Sequence, residues 1–197
     1  MKHTTYLLFG ITLTVLSFSG FMVPGDSIGA PSKEQVEQQR TDIRKMAEST
    51  LKRLYDTQPS AQKAVKKAAG YAVFSNFGMK ILFVGGGSGK GLVINNATGK
   101  SVYMQMIEVQ AGLGIGIKKF RLVWVFENQS DFDNFITSGW EFGGQATLAA
   151  QSSGEGAALA GAISIKPGVW LYQLTDDGLA AELTAKGTKY FKDQNLN

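Results

Sequence analysis

The 197-residue chain carries 20 Lys and Arg against 16 Asp and Glu, no cysteine, and a single histidine at position 3. Without cysteine there are no disulfides and no thiol chemistry. With His3 alone there is no Cys/His zinc site, no Ser-His-Asp triad and no Cys-His nucleophile. A hydrophobic content of 44% and an aromatic content of 11% suit one folded domain with a real core rather than a disordered chain.

The chain opens like a targeting segment. Lys2 supplies the charged start, Tyr6–Leu16 (YLLFGITLTVL) the apolar centre, and Ser17 with Ser19, Val23 with Gly25, or Ile28 with Ala30 the residue pairs of a cleavage site. The apolar stretch Tyr6–Val23 also approaches the length of a membrane span, interrupted by Gly10 and Gly20. Residues 1–30 therefore read as a signal peptide or a retained anchor. His3 lies inside them.

Residues 31–70 read as a basic helical segment. Val36, Ile43, Ala47, Leu51 and Leu54 form one apolar stripe, which predicts a helix over Lys33–Asp56 with Ser32 as its N-cap. Thr57–Pro59 breaks it. A second helix is predicted over Ser60–Ala69, with Lys63, Lys66 and Lys67 on one side and Ala61, Ala64, Val65 and Ala68 on the other. From Lys33 to Gly70 there are nine Lys and Arg against five Asp and Glu. From Tyr71 to Asn197 there are ten of each.

From Tyr71 the period changes to two, and residues 71–197 read as a glycine-rich β domain forming one unit with the preceding helices. Most of the 24 glycines lie between Gly70 and Gly168. The predicted strands are Tyr71–Phe74, Lys80–Val84, Gly91–Asn95, Ser101–Gln110, Gly112–Ile117 and Arg121–Phe126, with Asn95–Gly99 as a turn. In Gly112–Ile117 three glycines alternate with Leu113, Ile115 and Ile117, the mark of a bend or a close backbone approach. A helix is predicted over Ser130–Ser138, with Ser130 and Asp133 at capping-box spacing and Gly139 closing it. Strands follow at Gln145–Gln151 and Ala157–Ile165, joined by Ser152–Gly156, then Val169–Leu174. An Asp-Gly turn (TDDG) leads to a strand over Leu179–Ala185.

Three patterns invite a chemical reading. Gly85–Gly91 (GGGSGKG) resembles a phosphate loop, but Val84 stands where the first glycine belongs and Gly91 where Ser or Thr belongs. A strand follows it rather than a helix. It reads as a hairpin or bulge. Lys118–Arg121 (KKFR) groups three cations around Phe120, a pattern that meets anionic headgroups or serves as a solvated strand connection. The carboxylates Asp131, Asp133, Asp176 and Asp177 fall in cap and turn contexts, so catalysis by a carboxylate pair has little support. The Asn96-Ala97-Thr98 glycosylation sequon falls in a turn.

Taken in order, Gly70-Tyr71-Ala72-Val73-Phe74, the glycine-rich Gly85–Leu92, Gln110-Ala111-Gly112-Leu113-Gly114, the Leu122–Phe126 strand running into Phe132–Gly139, and Trp170–Leu183 with its Gly178-Leu179 turn resemble the SYLF family, also called the Ysc84 actin-binding domain family. The resemblance covers roughly Ala64–Ala185. It implies lipid binding. Eukaryotic members bind phosphoinositides, helped by an amphipathic N-terminal helix, and some bind actin filaments. This chain looks like the secreted bacterial branch, for which actin is not expected.

The expected fold is α+β, with N-terminal helices packed on a strongly curved, mainly antiparallel sheet or partly closed barrel. The expected function is binding of anionic membrane lipid without catalysis, in the periplasm or associated with the envelope after secretion across the inner membrane. Lys63, Lys66, Lys67, Lys118, Lys119 and Arg121 supply the charge and Phe120 an apolar anchor. No cofactor, metal or nucleic acid is expected. The alternative is a structural or protein-interaction module of the envelope.

Overall fold

The computed structural model describes residues 30–81, 84–111, 116–149, 159–180 and 182–197. Residues 1–29, which the sequence reads as a targeting segment, and the alternating glycines Gly112 and Gly114 lie outside them. Among the described residues no helix is long and apolar enough to cross a membrane.

Helix α1 spans Lys33–Thr57. Ser32 caps it as expected: its Oγ accepts the Gln35 N–H at 3.2 Å, and Gln35 Oε1 accepts the Ser32 N–H at 2.8 Å, which satisfies two otherwise orphan donors. Ile43, Ala47, Thr50 and Leu54 form its buried stripe. Pro59 separates it from α2, Ser60–Lys67, which buries Ala61, Ala64 and Val65.

The strands are β1 (Gly70–Ile81), β2 (Val84–Asn95), β3 (Ser101–Ala111), β4 (Gly116–Phe126), β5 (Trp140–Ala149), β6 (Ile163–Lys166), β7 (Val169–Thr175), β8 (Gly178–Leu179) and β9 (Glu182–Lys192). Helix α3, Gln129–Ser138, lies between β4 and β5. The sheet order is β5-β9-β3-β2-β1-β4-β7-β6, with β8 paired to β7, and every pairing is antiparallel. The end strands β5 and β6 lie against each other, and Lys166 Nζ of β6 sits 5.1 Å from the centre of the Trp140 ring of β5. The expected curved antiparallel α+β architecture is the one observed, a sheet curled into a half-barrel.

The period-two pattern sorts the side chains into two cores. On the outer face, Val73, Leu92, Tyr103, Val123, Val125, Trp170 and Tyr172 pack with Ile43, Ala47 and Leu54 of α1 and Ala61 and Val65 of α2. On the inner face, Ala72, Phe74, Val93, Met104, Met106, Leu122, Trp124, Phe126, Leu171 and Tyr190 surround Phe132 and Phe135 of α3. Helix α3 thus fills the curl. Phe135 lies 5.0 Å from Phe126 and 5.4 Å from both Trp140 and Tyr190, centre to centre.

Several elements differ from expectation. Gly85–Gly91 is strand, paired residue by residue with β1. Its glycines serve packing: the Phe74 ring lies on its cross-strand partner Gly91, where a Cβ would come within 2.2 Å of it. Lys80–Val84 is not a separate strand; the pair Ile81–Val84 closes the β1–β2 hairpin. Asn128, not Ser130, caps α3, its Oδ1 accepting the Asp131 N–H at 2.9 Å. Strand β5 begins at Trp140 and pairs with β9 rather than with the strand after it. The predicted 179–185 strand divides into β8 and a longer β9 reaching Lys192.

Candidate functional site

The two cation groups singled out in the sequence stand apart. Lys63, Lys66 and Lys67 are exposed on the outward side of α2, with Lys66 and Lys67 in its last turn, where cations suit the negative end of the helix dipole. Helix α2 runs into the sheet where the Ala69 N–H donates to Phe126 O, at the end of β4. Seven residues of extended strand, about 23 Å, separate Phe126 from Lys119. Asn96 is occupied at the same end, its amide donating to Val65 O and Ala68 O at 2.7 and 2.8 Å.

Lys118–Arg121 is not a strand connection but the first half of β4. Lys118 lies on β4 opposite Gly78 of β1. Phe120 is half-buried and packs against the inner core. Lys119 and Arg121 share the outer face with Val123 and Val125, by strand alternation.

Other residues join these two. Arg121 pairs with Ser75, Ser75 with Lys90, Lys90 with Gln105, and Arg121 with Leu174 on its other side. One straight row therefore crosses β3, β2, β1, β4 and β7. Neighbouring strands lie about 4.8 Å apart, which puts Lys90 and Arg121 about 10 Å apart at their Cα atoms. Together with Lys119 and with Arg53 of α1, this row lines an open cleft of about 610 Å³.

Arg121 and Arg53 of the cleft have uncharged hydrogen-bond partners. Arg121 Nη1 donates to Ser49 Oγ at 2.8 Å and Thr50 Oγ1 at 2.9 Å. Arg53 Nη2 donates to the main-chain carbonyls of Thr175 and, at 3.2 Å, Asp176. Lys90 Nζ donates to Gln39 Oε1 and lies 3.9 Å from Asp193 Oδ2. Carbonyl and hydroxyl oxygens orient these donors without cancelling their charge. Among the lining residues four cations, Arg53, Lys90, Lys119 and Arg121, stand against one carboxylate, Asp176, so an anion that enters meets an excess of guanidinium and ammonium groups.

Arg53 and Lys90 were not singled out from the sequence, and the signal for Lys90 was present. Once Gly85–Gly91 is strand, alternation back from Ile94 and Leu92 puts Lys90 on the helix-covered face. Arg53 had no such signal, because only the tertiary crossing of α1 over β7 brings it there.

The carboxylates do not assemble an acid–base pair. Asp131, in the first turn of α3, binds Lys166 Nζ and accepts Asn128 Nδ2 at 2.8 Å, and the Lys166 hydrogen bond holds its carboxyl below the ordinary range. Asp133 is exposed and accepts Gln129 Nε2 at 2.8 Å. Asp176 and Asp177 occupy the β7–β8 turn. No cluster of three or more His, Asp or Glu that would hold a metal occurs among the described residues.

The chain is similar to Beta cell expansion factor A of Aeromonas veronii, 35% identical over 158 residues. The similarity covers 80% of this chain and 58% of that protein, so the chain spans less than two thirds of its relative. Residues 107–197, from β3 through β9, match the family model Ysc84, described as Las17-binding protein actin regulator. That span, which carries the match to the Ysc84 (SYLF) family, holds Lys119, Arg121 and the Thr175–Asp176 turn of the cleft.

Proposed function

We propose that this chain is a non-catalytic binding module of the bacterial cell envelope, reached by secretion, whose ligand is anionic membrane lipid. The observation that carries the reading is the cleft in which Arg53, Lys90, Lys119 and Arg121 converge from two strands and a helix, with Arg53 and Arg121 held by carbonyl and hydroxyl oxygens. Each cation near an anionic surface contributes about 1 kcal/mol, enough in combination for reversible attachment. Lys63, Lys66 and Lys67 form a second, shallower contact at the other end of the sheet. Phe120, half-buried against the inner core, lines the same cleft and supplies its apolar part. The protein docks by charge.

Flotation with vesicles of phosphatidylcholine, with and without phosphatidylglycerol, tests this. Binding is expected only with the anionic lipid, and it should weaken as salt is added. Equal recovery with neutral and anionic vesicles, indifferent to salt, would overturn the reading in favour of a protein-interaction module.

A further inference from the structure

The segment Asp193–Asn197 forms a clasp between β3 and α1. The Asp193 N–H donates to Tyr103 O at 3.0 Å. The Asn197 side chain repeats the pattern of a strand pair, donating to Tyr103 O at 2.8 Å and accepting the Tyr103 N–H at 3.0 Å. Leu196 is buried in the outer core, and its carbonyl accepts Arg40 Nε of α1 at 3.0 Å. Inside the clasp the Asp193 side chain is only 2% exposed. Its Oδ1 accepts the Asn195 N–H at 3.0 Å. Its Oδ2 has no hydrogen-bond donor among the described residues and faces Lys90 Nζ at 3.9 Å. A buried carboxylate oxygen without a donor is costly, and an opposing cation offsets that cost. Yet Lys90 also lines the cleft, with 45% of its side chain exposed.

We propose that Asp193 is an internal competitor for Lys90: an anion entering the cleft draws the ammonium away, and the clasp loosens its hold on α1 as the site fills. The proposal rests on the reading of the cleft as an anionic-lipid site. Coupling between ligand and clasp is reciprocal. Ligand weakens the clasp, and weakening the clasp strengthens ligand binding. A carboxylate with a merely structural role gives the opposite sign, since losing it would loosen the cleft and lower affinity.

The test uses the full chain and phosphatidylcholine vesicles containing phosphatidylglycerol. Asp193→Asn is expected to bind about fivefold more tightly, the scale of a partly exposed ion pair, and this gain is expected to vanish in a Lys90→Gln background. In the unmodified protein, the amides of 193–197 are expected to exchange faster with solvent when vesicles are added, which needs no variant to fold. Equal or weaker binding by Asp193→Asn, an undiminished gain without Lys90, or unchanged exchange would each overturn the proposal. If the unmodified protein ignores anionic vesicles, the lipid reading falls and this proposal with it. If it binds them but neither readout responds, only the clasp is refuted.

Discussion

Arg121 Nη1 on β4 reaches both Ser49 Oγ and Thr50 Oγ1 on α1, so the side chain that charges the cleft also fixes the helix beside it. The two roles separate by substitution. Arg121→Gln removes charge and fork together. It is expected to cost about 1–3 kcal/mol of stability in denaturant unfolding, the range for hydrogen bonds to charged groups, and to weaken binding to anionic vesicles. Arg121→Lys keeps the charge but not the two-pronged geometry, and is expected to restore binding more fully than stability.

The glycines of β2 differ in what they tolerate. A Cβ on Gly91 would stand 2.2 Å from the Phe74 ring, whereas on Gly86 it would meet only Glu108 O at 3.7 Å. Gly91→Ala is expected to destabilise by more than about 3 kcal/mol, beyond ordinary overpacking, and Gly86→Ala to stay within about 0.5 kcal/mol of the parent. Thermal melts of the two single variants decide this.

Phe135 is fully buried, with Phe74, Trp124, Phe126, Trp140 and Tyr190 around it. Phe135→Ala is expected to cost about 3–5 kcal/mol and to erase most of the near-ultraviolet circular dichroism, because those rings lose their common packing partner. Retention of that signal in a folded variant would contradict the assignment of α3 as the filling of the curl.

The Asp131–Lys166 pair links stability to pH. Lys166 holds the Asp131 carboxyl below its ordinary value of 3.8, so the folded state binds the proton less readily than the unfolded chain. The contribution is complete above the unfolded value and is lost as pH falls through the lowered one. Unfolding midpoints measured from neutral pH downward are expected to drop in this acid window. The drop is expected to be shallower in Lys166→Met.

The α1 boundaries and its apolar stripe were legible because one helix carries its own period and its own cap in consecutive residues. The strands at Tyr71–Phe74, Arg121–Phe126 and Val169–Leu174 were legible for the same reason, since a period of two is a local property. The partners of those strands were not. That β5 pairs with β9, and that Ser75 lies between Lys90 and Arg121, depends on register and on which strands become neighbours, and neither is encoded within a short window. The cleft was therefore half visible: Lys119 and Arg121 stood out as a run, while Arg53 and Lys90 belong to the site only through the fold. Gly85–Gly91 misled because a glycine run reads as a turn, and the ring of Phe74 that requires the space is remote in sequence.

Lys166 resting on Trp140 has a consequence for how the protein behaves among its own copies. The ends of a curled sheet present unpaired main-chain groups, the usual template for joining strand to strand between molecules. Here the two ends turn toward each other and are held by a cation over an aromatic ring, with the same cation bound to Asp131 of α3. Where Lys166 meets Trp140, the two ends cover each other by a side-chain contact. A charged side chain seated on a ring thus occupies the place where a strand from another molecule would have to enter.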